Sequence, residues 1–326
     1  MSPLKGLGGE RRPREGWTST NADARCFGWH PSRCAREDRH FAPVSTPHEP
    51  QANLSKWALL GAALWLAPAC NQAPGAGAGW PPPITIAATE YAFSAPDTIP
   101  SGLVTLRLVN TGKEPHQAGV VRIEGRRTRA EIVAGLESNT PPPWMTFAGG
   151  PDAVNPGDTA IATQLLAPGS YILVCFLPSP DGTMHLEKGM IRPFVVQGPA
   201  PATRADLAGD DTIALADDAF TLSHPLRAGI HTIYVENNGP QLHEVIVLAL
   251  APGKAIHDLL AWASHLMPGP LPARSLGGIV ALDAGKSAAF RVTLARGSYV
   301  LTCFIPDAKD GKAHVLHGMV QEITVK

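Results

Sequence analysis

The chain carries one segment twice. GSYILVCFLPSPDGTMHLEKGM occupies 169–190, and GSYVLTCFIPDAKDGKAHVLHGM occupies 297–319. Each copy holds a Cys, then a His, then a Met five residues after that His. Ahead of each stands a further His in a similar frame, His116 in NTGKEPHQ and His243 in NNGPQLHE. A duplication of this length calls for two copies of one structural unit, each of roughly 115 residues and able to bury its own core.

The 326 residues suit two or three domains. The formal net charge of −1 leaves no basic field for nucleic acid, so none is expected as a partner. With 32 Gly and 32 Pro the chain is rich in turns, which favours an all-β build over a helical bundle. Short strand-like runs recur in the same order in both copies. ITIAATEYAF, GLVTLRLVN, QAGVVRI, DTAIATQLL, SYILVCF and MIRPFVVQ make the first unit, at 84–197. TIALADDAFTL, IHTIYVENN, EVIVLAL, AAFRVTLA, SYVLTCF and VQEITVK make the second, at 206–326, after a Pro/Ala connector at 198–205. Turn signals such as Pro-Gly, Asp-Gly and Asn-Asn-Gly separate them, the pattern of a β-sandwich. Each unit inserts one short helix, RRTRAEIVAGLES in the first and GKAIHDLLAWASHLM in the second. The expectation is two tandem Greek-key β-sandwiches.

Ahead of these units, residues 1–53 are rich in Arg, Gly, Pro and His without hydrophobic periodicity and read as disordered or as a mis-assigned extension. LSKWALLGAALWLAPAC, at 54–70, has the proportions of a signal peptide and is too short to span a bilayer. Its end, small residues followed by Cys70, resembles the lipobox of bacterial lipoproteins, although Ala67 stands where that family prefers Leu. The resemblance implies a lipid on Cys70, with export to the periplasm or anchoring at an outer or cell-surface membrane. The Gly/Ala/Pro-rich stretch at 71–83 suits a tether.

Two imidazoles, a thiolate and a thioether form the donor set of type 1 copper, which takes a near-trigonal His2Cys plane and a weak axial Met. The paired residues, their spacing and the strands around them resemble the cupredoxin (blue copper) family over nearly all of 84–326. That resemblance implies one type 1 copper per unit, held by His116, Cys175, His185 and Met190 in the first and by His243, Cys303, His314 and Met319 in the second. The ligand loop looks most like the type 1 loop of copper nitrite reductases, which ends in His-x-x-x-Gly-Met, matched here by HLEKGM and HVLHGM. His317 competes as a ligand, but the Gly-Met pair aligns His314 with His185, and Lys188 stands where His317 does.

In nitrite reductases and multicopper oxidases a His beside the Cys helps build a second copper centre. Here the neighbours are Val174 and Phe176, or Thr302 and Phe304, and paired His-x-His motifs are missing. The expectation is therefore a one-electron carrier between redox partner proteins, not an enzyme. Two other readings use the same residues: a copper-delivery protein, since thiolate and thioether suit Cu(I), and an interaction module whose sites stay empty. For the cysteines alone, the bland alternatives are buried thiols or a disulfide joining Cys175 to Cys303. His224, His231, His257 and His265 have no repeat partner and read as solvated. Trp144 and Met145 read as core packing.

Overall fold

The computed structural model describes residues 79–199, 207–264 and 269–326. The extension, the leader-like segment with Cys70 and most of the tether lie outside the described residues. Among those residues no helix is long and apolar enough to cross a membrane.

The first unit runs β1 (Ile84–Thr89), β2 (Ala92–Ser94), β3 (Thr98–Pro100), β4 (Gly102–Asn110), β5 (Gly119–Ile123), α1 (Arg129–Leu136), β6 (Met145–Phe147), β7 (Thr159–Leu166), β8 (Gly169–Val174) and β9 (Ile191–Gln197). The second runs β10 (Asp211–Ala216), β11 (Ala219–Leu222), β12 (Gly229–Asn237), β13 (His243–Leu250), α2 (Ile256–Ser264), β14 (Ala273–Leu282), β15 (Ser287–Leu294), β16 (Gly297–Thr302) and β17 (Val320–Val325). A short 3-10 turn, His314–His317, precedes β17.

Each unit is a sandwich, and apolar residues alternate inward from both of its sheets. In the first, Ile86, Leu106 and Leu108 meet Tyr171, Leu173 and Phe194 across one buried core. In the second, Ile213, Leu215 and Phe290 meet Val245, Val247 and Leu301. The outer sheets are separate, with strand orders β3-β9-β8-β5-β6 and β14-β13-β16-β17. The other two half-sheets are one: β15 pairs antiparallel with β7 (Phe290 beside Ala162), giving an eight-stranded sheet that runs through both units. That pairing leaves neither β7 nor β15 as an open edge.

The units are also clasped along β14 and the segment 147–155. Pro151 bridges to Ile279 and Ala148 to Leu282, and Val280 N–H donates to Gly150 O at 3.1 Å. Asn155 Nδ2 donates to Ser275 O at 3.0 Å, and Asp283 Oδ2 accepts from Phe147 N–H at 2.7 Å. Neither β14 nor β6 stands out from the residue pattern. In SLGGIVAL the paired glycines mimic a turn, whereas the strand absorbs them at one of its two register shifts against β13.

Both helices start on side-chain caps. Thr128 Oγ1 accepts from Glu131 N–H while Glu131 Oε2 accepts from Thr128 N–H, a reciprocal capping box. Asp258 Oδ2 accepts from Ala255 N–H at 2.9 Å. Trp144 and Met145 pack in an apolar cluster with α1, with the Arg127 guanidinium 4.7 Å from the Trp144 ring centre.

Candidate metal centres

The two buried His2Cys groups are built by the same local chemistry. The strands β4 and β12 each end in an asparagine that is almost fully buried, Asn110 and Asn237. Asn110 Nδ2 donates to Glu114 O (2.8 Å) and Val154 O (2.9 Å), and its Oδ1 accepts from Gly112 N–H (2.9 Å). Asn237 Nδ2 donates to Gln241 O (2.7 Å) and Leu282 O (2.8 Å), and its Oδ1 accepts from Gly239 N–H (2.9 Å). Each amide thus folds the loop that follows it, and fixes the strand paired with the ligand histidine six residues on: His116 bridges to Val154, His243 to Leu282.

Glycine is required between them by close approach. A Cβ on Gly112 would lie 2.9 Å from His116 Nε2, and one on Gly239 would lie 2.8 Å from His243 Nε2. The frames NTGKEPH and NNGPQLH thus combine a loop-forming amide, a clearance and a ligand, although only the histidine stands out from the sequence.

Downstream, Cys175 and Cys303 follow the last residues of β8 and β16. Backbone bonds close the ligand loop on itself. His185 N–H donates to Leu177 O (2.9 Å), Met190 N–H to His185 O (2.9 Å) and Cys175 N–H to Met190 O (3.2 Å). The second loop repeats them: His314 N–H to Ile305 O (2.9 Å), Met319 N–H to His314 O (3.0 Å) and Cys303 N–H to Met319 O (3.3 Å). The one-residue difference in loop length is absorbed before the His, so the Gly-Met end keeps its frame.

The structure brings His116, Cys175 and His185 together, and likewise His243, Cys303 and His314, with the donor atoms of each group within 4.8 Å of one another. In the first group Cys175 Sγ lies 3.3 Å from His185 Nδ1, which lies 3.2 Å from His116 Nδ1. In the second, Cys303 Sγ lies 3.5 Å from His314 Nδ1. Met190 and Met319 are fully buried and belong to the same apolar clusters as Cys175 and Cys303 respectively. Both cysteines are free thiols, so no disulfide joins them.

The far side of the imidazoles fixes their tautomers. His185 Nε2 donates to Glu114 Oε2 at 2.8 Å, and His243 Nε2 donates to Asp217 Oδ1 at 2.9 Å. A carboxylate only accepts, so the proton sits on Nε2 and Nδ1 keeps its lone pair, which in His185 faces Cys175 Sγ at 3.3 Å. His243 Nδ1 is buried there with no hydrogen-bond partner. A soft sulfur and two imidazole lone pairs converging in a dry pocket fit a copper ion, and the donor set itself carries that assignment. Glu114 and Asp217 escape attention in the sequence, although TEYAF and ADDAF set Asp217 at a turn matching that of Glu90, which lies 3.8 Å from His116 Nε2.

Electrostatics agree with a site meant for a cation. Burial pushes the Cys175 thiol up to about 12 and raises Cys303 as well. A thiol in such surroundings loses its proton only to a bound cation. Burial and the neighbouring His185 bring His116 down to about 4, which keeps it neutral and able to ligate. Glu114 is held below its ordinary value despite burial, because His185 and Tyr91 hydrogen-bond it.

Four groups lie outside these sets. His231 is half-buried between Asp211 Oδ2 and Arg227 O (2.7 Å each), His224 and His257 are exposed, and His265 lies outside the described residues.

No family model and no curated protein matches the sequence. Among solved structures, an auracyanin from Roseiflexus castenholzii is 25% identical, with 37% of this chain aligned to 100% of that one at a TM-score of 0.27. A blue copper oxidase from Nitrosomonas europaea is 15% identical over 74% of this chain and 85% of that one, with a TM-score of 0.23. A copper-containing nitrite reductase from Thermus scotoductus is 14% identical over 75% and 61%, with a TM-score of 0.21.

The fold is cupredoxin-like, in two tandem domains.

One expectation is corrected here. The chain was expected not to be an enzyme, yet the structures similar to it over both domains include a blue copper oxidase, a multicopper oxidase and copper nitrite reductases, which are enzymes. The expectation rested on the residues beside Cys175 and Cys303. Those residues report only on a second centre sharing that loop, and one cupredoxin-like scaffold hosts both catalytic and non-catalytic proteins.

Proposed function

We propose that this chain is an exported copper protein with two type 1 sites that passes electrons singly between redox partner proteins, tethered to a membrane by a lipid on Cys70. The observation that carries it is the pair of buried donor groups, each a Cys Sγ facing a His Nδ1 at 3.3 or 3.5 Å with a second His and a buried Met alongside.

When bound, copper supplies the change of oxidation state. The protein's part is to keep its ligands still. The Asn110 and Asn237 amides, the backbone bonds across each Cys–Met loop and the carboxylates on His185 and His243 hold the donors in place without the metal. Burial excludes water from the thiolate. Glu244 N–H points at Cys303 Sγ from 3.5 Å, a donor aimed at the charge the sulfur acquires.

One apolar cluster adjoins both sites. It contains Leu186, next to His185, and packed against it are Phe176 and Leu242, next to Cys175 and His243, and Ile305, two residues past Cys303. Continuous packed side chains between the ligand loops favour passage of electrons between the two domains over two isolated sites.

Reconstitution with Cu(II) tests the reading. Two equivalents of copper, an intense blue thiolate-to-copper absorption and a type 1 EPR signal are expected. A colourless protein lacking that signal overturns it, and a protein that binds Cu(I) but does not cycle reversibly points to copper delivery. Mass spectrometry of the mature N-terminus tests the lipid: an unmodified start, or one upstream of Cys70, rules the anchor out.

A further inference from the structure

A second cluster of donors lies on the rim of the second-domain site. Asp307, Asp310 and His317 bring one oxygen each from the carboxylates and one imidazole nitrogen to within 4.8 Å of one another. His317 Nε2 lies 3.1 Å from Asp310 Oδ1.

The first domain shows what this corner otherwise does. Matching bridges, Pro178 to Met184 and Pro306 to Ala313, set the two loops in register. Ser179 then corresponds to Asp307, Asp181 to Asp310 and Lys188 to His317. In the first domain Lys188 Nζ neutralises Asp181 at 2.7 Å, and Ser179 Oγ donates to the Tyr91 hydroxyl. The second domain replaces the fixed cation by an imidazole and adds a carboxylate. Three metal-capable donors with two carboxylate charges stand in its place, with the exposed Lys312 ammonium against one of them.

The floor of the cluster points the same way. His314 is 1% exposed, and its Nε2 has no hydrogen-bond partner but faces Asp307 Oδ2 at 3.7 Å. Its counterpart His185 donates fully to Glu114. Asp307 Oδ2 also accepts from Gln241 Nε2 at 2.9 Å, and Lys312 Nζ reaches the other oxygen of Asp310 at 3.3 Å from an exposed position. Asp310 Oδ1 accepts from Lys312 N–H at 3.0 Å and from His317 Nε2–H at 3.1 Å, so a metal at Nε2 takes the place of one proton.

We propose that Asp307, Asp310 and His317 bind a divalent transition-metal ion at the protein surface, beside and separate from the buried His243–Cys303–His314 group. One imidazole and two carboxylates suit Zn2+ or a metal of similar character, whose bonds of about 2.0–2.2 Å are reached by rotating the exposed Asp310 and His317 side chains toward the half-buried Asp307. Ca2+ and Mg2+ prefer all-oxygen shells and fit it poorly.

The test is calorimetric titration of Zn2+ into the full chain after its buried sites have been loaded with copper. One equivalent of Zn2+ is expected, with affinity at least tenfold weaker in both His317→Gln and Asp310→Asn and unchanged by equimolar Ca2+. The difference between wild type and these variants reads the same way whether or not the buried groups hold copper, so failure of the copper reading is seen separately. His317 and Asp310 are exposed, so neither variant endangers the fold. No saturable Zn2+ uptake, uptake that survives both variants, or displacement by Ca2+ overturns the proposal.

Discussion

The two sites use equivalent residues but distribute their carboxylates in opposite ways. In the first domain the loop histidine His185 is bonded to Glu114, and the upstream His116 has only Glu90, at 3.8 Å. In the second the upstream His243 is bonded to Asp217, and the loop histidine His314 has only Asp307, at 3.7 Å. The switch follows from two positions. Glu114 is replaced by the neutral Gln241, and Asp217 sits close enough to reach His243. The duplication has kept the donors and varied what stands behind them, which is where ligand orientation and redox potential are tuned.

The surroundings diverge likewise. Tyr91, in a left-handed turn conformation at φ 64°, lies edge-on to His185 at 5.2 Å and donates to Glu114 Oε1. Its counterpart Asp218 adopts φ 61°, a conformation Asp tolerates more readily. The first site is thus closed by an aromatic ring that the second lacks.

Ordered from the largest effect to the smallest, six substitutions probe that comparison. Asn110→Ala and Asn237→Ala each remove three hydrogen bonds inside the protein, so each should cost several kcal/mol of stability, at about 1–3 for every buried group left unpaired. Thermal unfolding measures this, and a loss confined to one domain's variant shows that the two frames are not equivalent. Gly112→Ala and Gly239→Ala push a methyl against the ligand ring and should weaken copper binding in their own domain by about tenfold or more, corresponding to about 1.4 kcal/mol. Copper competition titrations measure it, and equal affinity in wild type and variant contradicts the clearance role.

Glu114→Gln removes a charge hydrogen-bonded to His185 and should raise the potential of the first site while leaving the second unmoved. Spectroelectrochemistry resolves the two, and a shift in both sites contradicts the separation drawn here.

The smallest effect is a pH dependence peculiar to the second domain. His231, where the first domain has Val104, is raised above its usual value: burial acts against the charge, but bonds to Asp211 and Arg227 O outweigh it. Its contribution is therefore full below about pH 6.5 and is lost as pH rises through the raised folded value, and is worth under about 1 kcal/mol. His231→Val should flatten the stability profile in that window, and an unchanged profile refutes the assignment.

The repeat made the donor residues legible because a metal demands particular side chains at particular spacings. Asn110, Asn237, Glu90, Glu114 and Asp217 act through orientation, and a polar residue near a turn has many ordinary reasons to be there. The joined sheet was hidden for another reason. The inward alternation of β7 and β15 is satisfied by their own sandwiches, and nothing in it says that their free edges meet. His317, a competing ligand that the Gly-Met frame set aside, lies at the surface, and its neighbours Asp307 and Asp310 give it a second meaning.

The central claim is two equivalent copper sites in one chain. It is tested most directly by copper content and blue absorption of the wild type, Cys175→Ser, Cys303→Ser and the double variant. The expected result is two copper ions, with about half the colour lost in each single variant and all of it in the double, since each thiolate belongs to one site. Full colour in either single variant, or any blue absorption remaining in the double, would contradict it.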